Sequence, residues 1–155
     1  MINKYPQSQR GATLIEVLIT ILVLSVGLLG MAGLQALSIQ SNHSAYYRSQ
    51  ATFLAYDMSE RMRTNRNDAL SGKYDVDFPE SSNAHTTSGS SAEVDKAQWL
   101  NNLATTLPNG TGKVSRTGTL VSIEIRWDDS RGDISANNSE QENPTLETFV
   151  YRTEI

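Results

Sequence analysis

From Val17 to Leu34 the chain carries no charged side chain, and Thr20 and Ser25 are its only polar ones. About 18 such residues is the lower limit for a helix that spans a bilayer. This run predicts a transmembrane helix and argues against a soluble cytoplasmic enzyme. It also explains the composition: only 38% of the 155 residues are apolar, below the usual share of about 45–50%, and they are concentrated at one end. What remains must build a small, polar domain with little stability to spare.

The charge on either side of the run sets its orientation. Residues 1–11, MINKYPQSQRG, are short and polar, with Lys4 and Arg10; after the run no basic residue occurs until Arg48. The positive flank predicts that the N-terminus stays cytoplasmic and the C-terminal domain crosses the membrane. An ordinary secretory signal has a small-residue cut site after its apolar core, and no convincing one follows here. The chain has 13 basic and 17 acidic residues, a net charge of −4. Losing residues 1–11 takes Lys4 and Arg10 away and leaves −6. Nothing in that balance draws the domain to phosphate backbones, so nucleic acid is not expected as a partner. There is no cysteine, which excludes disulfides, thiolate nucleophiles and cysteine-ligated metals.

Glu16 does not suit a simple anchor. A carboxylate inside an apolar helix costs about 2.5–3.5 kcal/mol at the bilayer centre, and less near the interface. Its setting is Arg10-Gly11-Ala12-Thr13-Leu14-Ile15-Glu16-Val17, which resembles the class III leader junction of type IV pilins and type II secretion pseudopilins. The resemblance implies that a prepilin peptidase cuts between Gly11 and Ala12 and that the new Ala12 amine is N-methylated. Glu16 is then the glutamate at the fifth mature position. Ala12 stands where the family usually has Phe. Further on, GLLGMAGLQ (residues 27–35), Glu60-Arg61-Met62-Arg63-Thr64-Asn65-Arg66 and Arg152-Thr153-Glu154-Ile155 look like PilV-type minor pilins.

The junction also has a physical reading. Cleavage after Gly11 creates an ammonium group at Ala12, which in a helical filament can lie near Glu16 of a neighbouring subunit. Opposite charges in a low dielectric attract strongly and offset each other's desolvation. Otherwise Glu16 is a carboxylate snorkelling to the interface. Gly27, Gly30 and Gly33 have two readings as well: close packing of helices through small residues, or weak helix propensity that lets the segment unwind on assembly.

The division expected is a leader at 1–11, a transmembrane or filament-core helix at 12–35, and a periplasmic pilin head at 36–155. Residues 34–65 continue as helix, with Tyr47, Ala51, Leu54, Met58 and Met62 on one face. Arg61, Arg63 and Arg66 read as a solvated helix end that complements the macrodipole. Residues 67–92 have few apolar groups, and Ser81–Ser91 reads as a loop. A second helix is expected over about Ala92–Leu107, and Pro108-Asn109-Gly110 ends it. Strands are expected at Lys113–Thr117, at Leu120–Trp127 with Val121, Ile123, Ile125 and Trp127 on one face, and at Thr145–Thr153 with an alternation through Leu146, Thr148 and Val150. Residues 128–144 are a polar loop. The fold class is α+β: a long N-terminal helix against a small antiparallel sheet, pilin-like.

No catalytic, cofactor-binding or metal-binding set emerges. His43 and His85 are the only histidines and stand far apart in sequence. Asp128, Asp129 and Asp133 fail the spacing of a calcium loop, and Arg131-Gly132-Asp133 matches an adhesive tripeptide by letters alone. The resemblance implies a non-enzymatic subunit of a pilus priming or tip complex, on which twitching and attachment depend. Its partners would be the prepilin peptidase, other minor pilins and the major pilin, the inner-membrane assembly platform and the lipid bilayer. A minor pseudopilin of type II secretion stays open at this point, as does a single-pass membrane-anchored periplasmic binding protein.

Overall fold

Thr13 starts the first helix. Its hydroxyl accepts the Glu16 N–H at 3.3 Å, satisfying one of the amides that a helix start leaves without an internal partner. α1 then runs without interruption over Leu14–Thr64. The computed structural model describes residues 13–79, 85–130 and 146–155. The expected leader with Gly11 and Ala12, part of the Ser81–Ser91 stretch and most of the 128–144 loop, including Asp133, lie outside the described residues. The chain forms two units, Met1–Ser38 and Ile39–Ile155.

In the first unit, α1 is long and apolar enough to cross a membrane. Its two polar side chains are satisfied within the helix: the Thr20 hydroxyl donates to the Glu16 carbonyl and the Ser25 hydroxyl to the Ile21 carbonyl, each at 2.7 Å. Neither then presents an unpaired donor to an apolar surrounding.

The second unit is α+β, as expected. The rest of α1 is followed by α2 (Arg66–Leu70), α3 (Ser91–Thr106), β1 (Thr111–Thr117), β2 (Leu120–Asp128) and β3 (Leu146–Glu154). The strands form one antiparallel sheet in the order β1-β2-β3. The core joins Ala51, Ala55, Met58 and Met62 of α1 to Trp99, Leu100 and Leu103 of α3 and to Val121, Ile123, Ile125 and Trp127 of β2. The β2 face is the one expected from its alternation. On α1 the buried stripe is turned slightly from the expected one. Ala55 and Ser59 lie within it, while Tyr47 and Leu54 are only partly covered.

β3 differs from the expected alternation. Leu146, Thr148 and Val150 are on the exposed face, with Leu146 58% and Val150 44% accessible, and Phe149 and Tyr151 pack on the core. Register is the reason. Phe149 lies opposite Ile125 and Tyr151 opposite Ile123, and directly opposed residues share a face. Residues 67–92 also contribute more than their composition indicates. Ala69 and Tyr74 are buried, and Val76 bridges Val114 with two main-chain hydrogen bonds of 3.0 and 2.9 Å.

α3 begins at Ser90, whose backbone N–H donates to the Glu93 carboxylate at 2.7 Å, the returning half of a capping box. After α3, Gly112 of β1 lies against the Trp99 ring and the Leu103 side chain, so that any Cβ there would collide with both.

Candidate functional site

Glu16 lies in the first turn of α1, three residues after the cap Thr13. The helix macrodipole there is equivalent to roughly +0.5 charge and favours a carboxylate. The sequence reading had compared Glu16 only with an interfacial carboxylate. The Thr13-x-x-Glu16 spacing is a further signal, that of a capping box. Leu14, Ile15, Val17 and Leu18 around it are all exposed. The Ala12 amine that would pair with Glu16 lies outside the described residues.

Gly27, Gly30 and Gly33 are all within the continuous helix, and a Cβ at any of them would meet nothing within 4 Å. They contact no part of their own chain. Their flat surface is open to another helix.

In the second unit the expected solvated helix end is instead a set of cross-links. Arg61 Nε donates to Asp57 at 3.0 Å, and its Nη1 donates to Asp95 at 3.0 Å and to Gln98 at 2.9 Å. The Tyr74 hydroxyl donates to the other Asp95 oxygen at 2.6 Å. Asp95 thus ties α3 to α1 and to the segment after α2. Burial, then the bond to Asp95, pushes the Tyr74 phenol up to about 12. Burial works against the charged form of Arg61, yet Asp57 and Asp95 outweigh it and hold the guanidinium above its ordinary value. Arg63 pairs with Glu60 and donates to the Thr153 hydroxyl at 2.9 Å, and Arg66 donates to the Ile155 carbonyl at 3.2 Å. These arginines fasten α1 and α2 to the last strand and the residue after it. A charge-dense helix end gives no sign of that when its partners are some 90 residues away.

The remaining candidates have structural places. His43 stands beside Tyr47 on α1, ring centroids 6.3 Å apart. The His85 backbone is clasped by Asn101 of α3 through bonds of 2.7 and 2.9 Å. Asp128 accepts the Ser130 N–H at 2.9 Å. Asp129 is 3% exposed and accepts the Ser44 hydroxyl at 2.6 Å, a burial that sequence patterning gives no hint of. Among the described residues no group of three or more His, Cys, Asp or Glu is placed to hold a metal ion.

Two family matches bear on this arrangement. Residues 6–32 match the prokaryotic N-terminal methylation motif, and residues 33–99 match the family described as type IV pilin Tt1218. The first spans the Gly11-Ala12 junction, Glu16 and the glycines Gly27 and Gly30. The second spans Gly33, the rest of α1, α2 and the start of α3. No curated protein and no solved structure matches the chain. A methylation motif that leads directly into a 51-residue helix with a three-stranded antiparallel sheet beyond it, together with the two adjoining matches, establishes the chain as a member of the type IV pilin family, with a class III leader and an apolar helix that anchors it in the membrane.

Proposed function

We propose that this pilin is a minor subunit of a type IV pilus, of the PilV type, that acts in a priming or tip complex and catalyses no reaction. The observation that carries the reading is the junction Arg10-Gly11-Ala12 followed by Glu16 at the first turn of α1. The segments at 27–35, 60–66 and 152–155 favour the PilV type. Lys4 and Arg10 before the apolar run favour a cytoplasmic leader and a periplasmic head. Processing by a prepilin peptidase follows from the methylation motif. The further partners are other minor pilins, the major pilin, the inner-membrane assembly platform and the surrounding lipid.

The test combines the N-terminal mass of membrane-extracted protein with pilus counts and secretion assays after deletion. A minor pilin begins at methylated Ala12, occurs in traces in sheared filaments, and leaves few pili when removed. Normal pili with failed protein secretion would move the chain to the pseudopilins of type II secretion. A retained Met1 in cells with an active peptidase would support a plain membrane-anchored binding protein.

A further inference from the structure

The two edges of the sheet are treated differently. The outer edge of β1 is partly covered, because Val76 exchanges two main-chain hydrogen bonds with Val114. β3 pairs only with β2 among the described residues. The register tells which of its groups are free. The Ile155 N–H donates to the Thr119 carbonyl at 3.1 Å, and that pair continues the β2–β3 register, in which Leu120 faces Glu154. Bonded and non-bonded pairs alternate along an antiparallel ladder. Thr153, Tyr151, Phe149 and Glu147 therefore direct their N–H and C=O toward β2. Thr148, Val150 and Arg152 direct theirs outward, away from the sheet.

An edge of this kind is a template for another strand, and proteins usually blunt it with Pro, Lys, a bulge or an inward charge. β3 is nine residues long in unbroken register, with no Pro, Gly or Lys. Its inward charge, Glu147, is paired with Arg48 at 3.4 Å. Beside it α1 presents an aromatic floor: Tyr56 lies 4.9 Å from Tyr151 between ring centroids, and Phe53 and Tyr56 are 66% and 48% exposed. A strand laid on β3 sets its inward side chains next to those rings.

We propose that the open edge of β3 takes an extended strand from a different membrane-anchored protein subunit, with apolar side chains at alternate positions, continuing the sheet by main-chain hydrogen bonds. A second copy of this chain fits poorly. Arg48 meets Glu147, Tyr56 meets Tyr151 and Arg63 meets Thr153, so α1 and β3 ascend together. Antiparallel pairing of β3 with itself would reverse α1 in the partner and point two membrane anchors in opposite directions. The inference rests on the assembly role proposed above only for where the partner is found.

Val150→Pro tests it. Proline there removes one outward N–H and no bond to β2, which an edge strand tolerates; Val150→Thr keeps the N–H and is the control. Full-length variants are compared in the sheared-filament and membrane fractions, with melting measured on each. The expected result is unchanged melting for both and a fall of about tenfold or more for Val150→Pro in the assembled fraction, the equivalent of about 1.4 kcal/mol. Equal incorporation of the two variants overturns the proposal. A second measurement holds even if Val150→Pro misfolds or wild type is absent from filaments, which would count against the assembly role itself. Amide exchange of the wild-type full chain is compared in detergent and in native membranes. The amides of Thr148, Val150 and Arg152 should exchange freely in detergent and become protected in membranes. Protection already present in the purified chain, or none in either state, overturns the open-edge assignment.

Discussion

Trp99 donates its indole N–H to the main-chain carbonyl of Leu54 at 2.9 Å, which joins α3 to α1 through the core. The ring is fully buried, and the absent side chain of Gly112 makes room for it. Trp99→Phe keeps most of the apolar contact and removes the bond, so it should cost about 1 kcal/mol or somewhat more. Trp99→Ala should cost about 3–5 kcal/mol. Gly112→Ala should cost about 1–3 kcal/mol by overpacking, because an aromatic ring in a packed core cannot swing aside. Urea unfolding of the full chain in detergent gives all three.

Tyr74 makes the head sensitive to alkali. Its phenol is pushed from an ordinary value of 10 up to about 12, by burial and then by Asp95. The folded state therefore favours the protonated phenol more than the unfolded state does. That contribution is complete below about pH 10 and is lost as pH rises toward about 12. Melting temperature should fall across this window, and Tyr74→Phe should flatten the fall while leaving the neutral-pH spectrum unchanged. An equally steep loss in Tyr74→Phe would assign the alkaline transition to other groups.

Ser44 and Asp129 link α1 to the end of β2 through one bond of 2.6 Å. Ser44→Ala leaves a nearly buried carboxylate without that donor and should destabilise the fold by about 1–3 kcal/mol. Replacing both residues by Ala removes the stranded group together with its partner, so the double variant should cost less than the two single ones added. A double-mutant cycle on unfolding free energies measures the difference.

The legible parts of this fold are those set by period. The β2 alternation placed Val121, Ile123, Ile125 and Trp127 in the core because one strand face packs and the other meets water. The helical stripe led to Met58 and Met62, and the run at 17–34 to the apolar half of α1. β3 misled because both of its faces carry apolar residues: Leu146 and Val150 on one, Phe149 and Tyr151 on the other. Only the pairing with Ile123 and Ile125 decides between them, and a single strand does not contain its register. Tyr74 and Val76 were obscure because an isolated apolar residue in a polar segment has no period. The Arg61–Asp95–Tyr74 cluster joins three separate segments, which no local window spans. At the candidate site the order differs: Glu16 was conspicuous as a charge in an apolar run, whereas its place at the first turn of α1 comes from the hydrogen bond to Thr13.

That hydrogen bond sharpens the test of Glu16. Two roles compete: a charge that pairs with the Ala12 amine of a neighbouring subunit, and a local carboxylate that stabilises the start of α1. Thr13→Ala removes the side-chain cap and keeps the charge. Glu16→Gln keeps the shape and removes the charge, and Glu16→Ala removes both. Dropping an intramembrane charge makes insertion easier if it changes it at all, so all three variants should reach the membrane at wild-type levels and be cut after Gly11. Breaking one side of a buried ion pair costs about 3–5 kcal/mol, less where water or lipid headgroups reach it. Losing the cap or the dipole interaction costs only about 1 kcal/mol. Glu16→Ala and Glu16→Gln should therefore both disappear from the sheared-filament fraction while Thr13→Ala remains in it. A fractionation blot beside a pilus count reads this directly. If Glu16→Gln assembles like wild type, the charge pair is wrong and Glu16 serves the helix start alone.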